Sequence, residues 1–311
     1  MFVSVIIPTY KDWARLKLCL NALTQQNYPR ERFEVIVVNN CPEDPCPFTP
    51  PSDNMRIIEE SKPGSYAARN AGVRVAKGEV IAFTDSDCVP DAGWLANGVG
   101  CLESAKKDMA GGHVDFVFKN PNSAAELHDT IGNMNNHVRV KKYGCAATAN
   151  LFVRKEVFDA VGLFDDSMKS GGDTEFTLRA GSQGFSIIYC AEASVQHPTR
   201  TLKASIKKAY RVGKGLLSVE LRRPVPSSQK IKLLFLHVLP IPNPIKIKKT
   251  MRRHGKTSVC IFVKIALLSS FLSLVKTSGM ASSLFHKLLP VEKLQTTRQP
   301  ASGSCVTPKE P

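Results

Sequence analysis

The chain has 311 residues, with 42 Lys and Arg against 27 Asp and Glu, which gives a net charge of +15. Its composition, 43% hydrophobic and 22% charged, is that of a globular protein and excludes wholesale disorder, collagen and coiled coil. The length fits one large α/β domain with an appendage, or two modest domains.

The positive charge is concentrated in the last third of the chain. Residues 201–311 contain 21 Lys and Arg and three Asp and Glu, a balance of +18, which leaves −3 for residues 1–200. This split disfavours a uniformly basic nucleic-acid-binding protein and predicts a change of role near residue 200. The nine cysteines show no zinc spacing, and the short apolar run before Pro8 is not typical of a signal peptide. We therefore expect reduced thiols in a cytoplasmic protein.

The first half of the sequence alternates strand and helix patterns. Near-continuous β-branched runs predict buried strands over Val3–Ile7, Val35–Val38, Met55–Ile58 and Val80–Phe83. Helical spacing predicts one helix over Trp13–Leu23 and a second that Ser65 caps. This order predicts a parallel sheet with helices on both faces, and ligands bind beyond the carboxyl ends of such strands.

The second half of this region continues without a linker rich in Gly or Ser. The patterns predict strands over His113–Phe118, Thr148–Val153 and Phe185–Tyr189, and helices over Ala124–Val140, Glu156–Val161 and Thr174–Ala180. Residues 1–200 are therefore predicted to form one domain, in which the second half extends the same sheet.

Residues 201–294 are predicted to form a basic, partly hydrophobic helical region, and residues 295–311 a disordered tail. Leu202–Val219 is basic and amphipathic, whereas Val259–Val275 is apolar at 13 of 17 positions, a borderline length for spanning a bilayer. Basic residues interleaved with apolar runs favour an anionic membrane surface as partner. The alternative is a set of helices packed on the first domain, with a solvated basic face.

A pair of aspartates is the strongest candidate site. In GEVIAFTDSDCVP a buried strand delivers Asp85 and Asp87 at its carboxyl end. Two carboxylates at this spacing can hold a hard divalent cation and leave positions open for phosphate oxygens. On its own, such a pair more commonly caps a turn. An EF-hand is excluded, because Val89 and Pro90 stand where further ligands and a glycine belong.

Four segments occur in the order and approximate spacing of one enzyme family. They are SVIIPTY, KPGSYAARNAGVRVAKGEVIAFTDSDCVPDAGWL, GGDTEF and VQHPTR. Through these segments, residues 2 to about 200 resemble glycosyltransferase family 2, whose members are inverting, nucleotide-sugar-dependent enzymes. The resemblance implies an α/β chain with the GT-A fold, a Rossmann-like and mostly parallel sheet with helices on both faces. Here the basic C-terminal helical region follows it.

The resemblance implies a binding site for a nucleotide-diphospho-sugar donor. Pro8, Thr9 and Tyr10 match the positions that hold the nucleoside, and Arg69 matches an arginine that contacts the donor phosphates. Asn39 stands where the family commonly has an aspartate that hydrogen-bonds the base of the nucleotide. This departure leaves the base of the donor open, since an amide loses the charge and gains a donor.

The resemblance also implies a divalent cation, Mn²⁺ or Mg²⁺, and a general base. Asp87 matches the more direct metal ligand and Asp85 its helper, and His197 matches a position that completes the metal site in some members. Asp173 is the best match to the base, and Glu175 is the alternative. A structural role for the histidine and simple helix N-terminal placement of the two acids are the competing interpretations.

Three smaller matches lie near the acceptor side, and one departure concerns the motif of the general base. Gly111, Gly112 and Asn150 match recurrent family positions there. The family commonly has an acidic residue just before the matched base, whereas this chain has Gly172.

The function implied is inverting transfer of a sugar to an acceptor hydroxyl in the assembly of a cell-surface or exported polysaccharide or glycolipid. The acceptor would be a sugar, a glycolipid or a lipid-linked saccharide, met at the cytoplasmic face of a membrane where the enzyme is peripheral. One alternative is an inactive sugar-nucleotide-binding or membrane scaffold protein. Another is a sugar-phosphate nucleotidyltransferase, for which PTYKDW lacks the glycine-rich basic loop. The basic tail alone would also suit nucleic acid, but nucleic acid is not an expected partner.

Overall fold

The computed structural model describes residues 1–131, 134–222, 226–230, 234 and 239–288. Its strands are β1 (Val3–Thr9), β2 (Phe33–Asn39), β3 (Met55–Glu59), β4 (Val80–Thr84), β5 (Val89–Pro90), β6 (Met109–Val117), β7 (Asn150–Arg154) and β8 (Ile187–Pro198). They form one sheet in the order β3-β2-β1-β4-β7-β6-β8-β5. The neighbours β3-β2, β2-β1, β1-β4 and β6-β8 are parallel, and the remaining neighbours are antiparallel.

The helices cover both faces of the sheet and continue beyond it. They are α1 (Trp13–Thr24), α2 (Ser65–Val75), α3 (Trp94–Ser104), α4 (Ala124–Asp129), α5 (Asn136–Tyr143), α6 (Lys155–Val161), α7 (Gly172–Ser182), α8 (Leu202–Arg222), α9 (Pro244–Arg253) and α10 (Val259–Leu288). A short 3-10 turn, Arg30–Arg32, precedes β2.

Two apolar cores lie on opposite faces of the sheet. Val5 and Ile7 of β1 belong to the core that includes α1 and α3, whereas Ile6 belongs to the core that includes α2, α6 and α7. This alternation follows from the period of two along a strand. It explains why β1, β2 and β4 are apolar at almost every position, and it confirms for these three strands the prediction of burial on both faces. The same prediction is wrong for β3, which lies at the edge of the sheet and is half-buried at Arg56, Ile57 and Ile58.

Two predicted helix boundaries are wrong. Ser65 is the first residue of α2, and Gly64 is the N-cap residue of this helix. The φ of Gly64, 136°, suits glycine, and no side chain caps the helix by a hydrogen bond. The predicted helix over Ala124–Val140 is two helices, because Asn135 caps α5 by accepting a hydrogen bond from the Val138 amide. Helix α3, which contributes the fully buried Trp94, was not predicted.

The last two helices pack on the sheet domain through a third, small core. Leu127 of α4, Ile247 and Met251 of α9, and Ile265 of α10 form this core. Helices α8 and α10 also approach closely, since a Cβ on Gly213 would lie 2.0 Å from the carbonyl oxygen of Lys276. The described part of the region 201–294 is thus helical, as predicted.

Helix α10 is longer than the apolar segment predicted over Val259–Val275. Val259–Phe285, 27 residues, is long and apolar enough to cross a membrane by length and composition, and 11% of its most apolar window is buried. It therefore does not have the burial of a core helix. The predicted disordered tail, 295–311, lies outside the described residues, as do residues 235–238.

Candidate active site

A large cleft opens at the carboxyl ends of the parallel strands, where ligand binding is predicted. Its volume is about 1750 Å³, and residues that follow β1, β2 and β4 line one side of it. The other side is formed by the start of α7 and by the C-terminal helices α8 and α9. The cleft therefore brings segments together that are distant in sequence.

The two aspartates of the Asp-x-Asp pair lie directly after β4, each against an arginine. An oxygen of Asp85 lies 2.5 Å from a guanidinium nitrogen of Arg69, a residue that is 4% exposed. An oxygen of Asp87 lies 3.3 Å from a guanidinium nitrogen of Arg15. Arg15 also pairs with Asp12 at 2.8 Å. Two arginines are thus held beside the carboxylates, where they can reach a phosphate group.

His197, at the end of β8, completes the cluster. Its Nδ1 lies 2.7 Å from the carbonyl oxygen of Pro198, and its Nε2 lies 3.6 Å from an oxygen of Asp87. Burial lowers the pKa of His197, and the charge of Asp87 opposes this shift. In the neutral ring, Nδ1–H donates to the carbonyl, and the lone pair of Nε2, the atom that would bind a metal, accepts a hydrogen bond from Arg200 at 3.2 Å.

The donor atoms at this position fit a divalent cation. One ligand atom each from Asp87, Cys88 and His197 lie within 4.8 Å of one another. Burial raises the pKa of Asp87, the imidazole of His197 lowers it, and the nearby Asp85 raises it further. A cation would offset this cost of holding charged carboxylates together. Burial raises the pKa of the Cys88 thiol well above its ordinary value, so the carboxylates and the imidazole are the suitable ligands.

Asp173 lines the cleft at the start of α7. Its Oδ1 accepts a hydrogen bond from the Thr174 amide at 2.8 Å and lies 3.5 Å from the hydroxyl of Tyr66. Its Oδ2 lies 3.7 Å from a guanidinium nitrogen of Arg139. The carboxyl group of Asp173 therefore lies both at a helix N-terminus and beside an arginine. Glu175 is not among the cleft residues, and it pairs with Arg179 at 2.8 Å.

The two positions before Asp173 favour glycine for different structural reasons. Gly171 caps α7 with a φ of 83°, a left-handed conformation that favours glycine. A Cβ on Gly172 would lie 2.9 Å from the ring of Tyr66. The family that the sequence resembles commonly has an acidic residue at this position. In this structure such a side chain would collide with Tyr66, which contacts Asp173.

The predicted nucleoside positions divide into two groups. Pro8, Thr9 and Tyr10 line the cleft, and the Thr9 hydroxyl is buried with no hydrogen-bond partner among the described residues. Asn39 is 1% exposed and does not line the cleft. Its side chain bonds the Cys41 amide at 3.0 Å and the Asp44 carbonyl oxygen at 3.1 Å, so it shapes the loop after β2. The neighbouring Asn40 is the residue that faces the cleft.

Asn150 and the glycine pair Gly111 and Gly112 have structural roles in the sheet. Asn150 is fully buried, accepts a hydrogen bond from the indole of Trp94 at 2.9 Å, and donates to the carbonyl oxygens of His113 and Ala193. A Cβ on Gly112 would lie 2.3 Å from the side-chain amide oxygen of Asn150, so only glycine fits at this position. These residues join β6, β7, β8 and α3 where the register of β6 and β8 shifts.

Several residues that line the cleft or approach His197 were not predicted from the sequence. Asp12 and Arg15 begin α1 directly after β1, and this position at the edge of the sheet was a usable signal. Arg200, three residues after His197, approaches its Nε2 to 3.2 Å. Lys208 of α8 lies 3.8 Å from Asp129, and burial, with Arg200 nearby, lowers its pKa to about 8. No local pattern distinguishes Lys208 from the other lysines of the region.

Comparisons with known protein sequences find relatives of one enzyme class. A family model described as glycosyl transferase family 2 matches residues 4–162. The chain is 37% identical over 296 residues to glycosyltransferase AglE of Haloferax volcanii. This alignment covers 92% of the chain and 97% of the relative. It is 23% identical over 238 residues to a Methanococcus voltae protein, covering 70% of this chain and 74% of that relative. That protein is named dolichyl N-acetyl-alpha-D-glucosaminyl phosphate 3-beta-D-2,3-diacetamido-2,3-dideoxy-beta-D-glucuronosyltransferase.

Solved structures share the fold. The mannosyltransferase PcManGT from Pyrobaculum calidifontis, in complex with GDP-Man and Mn²⁺, gives a TM-score of 0.56 at 17% identity and covers 93% of this chain and 88% of its own. Residues 1–349 of Staphylococcus aureus TarS, in complex with UDP-GlcNAc, give a TM-score of 0.52 at 16% identity, with 93% and 92% covered. At these identities the likeness is one of fold.

Proposed function

Since the chain belongs to glycosyltransferase family 2 and has the GT-A fold, we propose that it transfers a sugar, with inversion, from a nucleotide-diphospho-sugar to an acceptor hydroxyl. One observation carries the proposal. The Asp85 and Asp87 cluster with its two arginines and the carboxylate of Asp173 line the same cleft at the carboxyl edge of the sheet. A diphosphate group and an attacking hydroxyl can therefore be held in one cavity.

The donor occupies the side of the cleft that follows β1 and β4. Pro8, Thr9 and Tyr10 bound the place for the nucleoside, and the unpartnered hydroxyl of Thr9 supplies a hydrogen bond to it. Arg69 and Arg15 exchange part of their pairing with the aspartates for the diphosphate oxygens. The complexes of PcManGT with GDP-Man and of TarS with UDP-GlcNAc support a nucleotide sugar as ligand.

Asp85, Asp87 and His197 would hold the divalent cation, Mn²⁺ or Mg²⁺. When bound, the cation offsets the charge that develops on the departing nucleoside diphosphate. The neutral ring of His197, fixed by the Pro198 carbonyl, presents Nε2 toward Asp87. Mn²⁺ in the PcManGT complex supports this assignment.

Asp173 acts as the general base. A carboxylate oxygen takes the proton of the acceptor hydroxyl while the hydroxyl oxygen attacks the anomeric carbon from the face opposite the diphosphate. The bond from the anomeric carbon to the phosphate oxygen breaks, and the electron pair leaves with the nucleoside diphosphate. The Thr174 amide and Tyr66 hold the carboxylate in place. Glu175 lies outside the cleft lining in its pair with Arg179, which supports the choice of Asp173.

The reaction belongs, in this proposal, to the assembly of a cell-surface or exported polysaccharide or glycolipid at the cytoplasmic face of a membrane. Two features support a peripheral membrane location: the exposed apolar face of α10 and the basic residues of α8 and α9. The name of the Methanococcus voltae relative, a dolichyl phosphate-linked sugar transferase, supports an acceptor carried on a lipid.

A panel of nucleotide sugars tests the proposal. The full chain is titrated with each donor in the presence and absence of Mn²⁺ or Mg²⁺, and both binding and slow hydrolysis of the donor are measured. We expect one donor to bind in a metal-dependent way and to be hydrolysed slowly. Binding without any turnover, also with lipid extracts as acceptor source, would indicate an inactive sugar-nucleotide-binding protein. Absence of binding for the whole panel would refute the proposal.

A further inference from the structure

The side of the cleft formed by α5, α8 and α9 is strongly basic. Five exposed cationic side chains line it, and we call them the basic wall: Lys142, Arg211, Lys246, Lys249 and Arg253. Among the described residues, none of the five has an ion-pair partner within 4 Å. They come from three helices and converge on one cavity.

The acids of the cleft do not neutralise this wall. Asp12, Asp85, Asp87 and Asp173 each already face an arginine outside the wall. Glu220, the remaining acid in the described lining, is 1% exposed and so is shielded from the open cleft. The charge of the wall is therefore available to an anion that enters the cleft.

The nucleotide of the donor is a poor explanation for the wall. Its diphosphate is already provided for by Arg69 and Arg15 beside the two aspartates. The three wall residues of α9 belong to the C-terminal region and share that helix with the exposed side chain of Ile245. A second anion, distinct from the donor diphosphate, suits this position better.

An exposed apolar surface accompanies the basic wall. Along α10, Val259, Val263, Leu267 and Phe271 recur every four residues and are 75%, 47%, 67% and 47% exposed. This spacing places them on one face of the helix. Helix α9 packs against α10 in the third core, so the apolar face and the basic wall belong to one unit of the fold. The combination suits a molecule with an anionic head and a hydrocarbon chain.

We propose that the basic wall binds the phosphate of a lipid-linked acceptor and so determines which acceptors enter the cleft. The inference rests on the proposed function, because it names the acceptor of that reaction. Guanidinium and ammonium groups make short, charge-assisted hydrogen bonds to phosphate oxygens, whereas a neutral glycan needs no such cations. In this proposal the lipid chain lies outside the cleft, along the apolar face of α10, whose exposed residues are not part of the cleft lining.

Farnesyl phosphate is the probe for this site. The full chain is first saturated with the nucleoside diphosphate that it binds and with Mn²⁺, so that the donor site is filled. The affinity for farnesyl phosphate is then compared with those for farnesol and for inorganic phosphate. We expect farnesyl phosphate to bind at least tenfold more tightly than either, because it alone carries both the anion and the chain.

Helix α9 offers a matched pair of double variants. Lys249→Gln with Arg253→Gln removes one lysine and one arginine from the wall. Lys248→Gln with Arg252→Gln removes the same two residue types, at the same spacing, from exposed positions outside the cleft lining. We expect the wall variant to bind farnesyl phosphate at least tenfold more weakly and the control variant to remain within twofold of the unmodified chain.

The outcomes separate this inference from the proposed function. Equal weakening by both variants, or loss only of binding to phosphatidylglycerol vesicles, would mean that the cations serve a membrane surface, and would overturn the inference. No weakening by the wall variant would also overturn it. Donor binding and slow donor hydrolysis, measured on the same proteins, should be unchanged by either variant. If the full chain shows neither donor binding nor donor hydrolysis with any nucleotide sugar, the proposed function is refuted instead.

Discussion

Replacing Asp173 by asparagine tests the proposed chemistry most directly. Asparagine has the same shape and keeps an oxygen that accepts the hydrogen bond of the Thr174 amide, 2.8 Å away in the structure. The contact with the hydroxyl of Tyr66 can also persist. What the amide cannot do is accept the proton of the acceptor hydroxyl. The substitution therefore removes the base and leaves the fold in place.

The expected loss follows from the usual contribution of a positioned base. General base catalysis contributes roughly 10²–10⁴-fold to a rate. Asp173→Asn should lower kcat for transfer by about this factor, which corresponds to about 3–5 kcal/mol of activation free energy. The donor Kd should change by less than about threefold, since the proposed donor ligands lie elsewhere: Arg69 on α2, and Asp85 and Asp87 directly after β4.

Transfer is measured with the nucleotide sugar identified in the panel, radiolabelled in the sugar, and a lipid extract as acceptor source. Donor binding is measured by calorimetry on the same protein. Glu175→Gln is the control, because its carboxylate pairs with Arg179 away from the cleft lining. Loss of this half-buried pair should lower the free energy of unfolding by about 1–3 kcal/mol and spare transfer per folded molecule.

Two results would refute the assignment. One is that Asp173→Asn keeps more than a third of the transfer rate. The other is that Glu175→Gln, fully folded at the assay temperature, loses transfer by a hundredfold while Asp173→Asn does not. The second result would move the base to Glu175 and would require α7 to turn in the complex.

Three further variants test the metal site, the packing before the proposed base and the membrane face. Asp87→Ala should weaken Mn²⁺-dependent donor binding at least tenfold in calorimetry and leave metal-free binding unchanged; equal losses in both would argue against a metal ligand. Gly172→Ala places a methyl group 2.9 Å from the Tyr66 ring and should cost about 1–3 kcal/mol in denaturant unfolding, so an unchanged midpoint would contradict the packing. Leu267→Asn with Phe271→Asn should reduce sedimentation with phosphatidylglycerol vesicles at least tenfold without lowering Tm, since each apolar side chain contributes about 1.5–3 kcal/mol when buried; undiminished sedimentation would exclude α10 as the contact.

The local patterns of the sequence predicted most of the sheet domain. Continuous β-branched runs located β1, β2 and β4, because strands buried on both faces must be apolar at nearly every position. The run that located β3 belongs to an edge strand, which is mostly half-buried. Helix α3 was missed although its Trp94 is central to the core. Its residues include two glycines and no clear polar face, so periodicity gave no signal. The break between α4 and α5 depends on a cap at Asn135, which a continuous helical pattern concealed.

The sequence by itself determined which chemical groups are present and in what order: two aspartates after a buried strand, an acid at the start of a helix, a histidine before Pro198, and a basic C-terminal region. The tertiary structure decided which of them meet. Asp173 and Glu175 are two positions apart on one helix and so point in nearly opposite directions, but only packing shows which faces the cleft. The partners of Asp87 come from α1 and β8, far away in sequence. The basic wall likewise exists only because α5, α8 and α9 converge on the cleft. A charge pattern along the chain carries no information about the cavity that it will line.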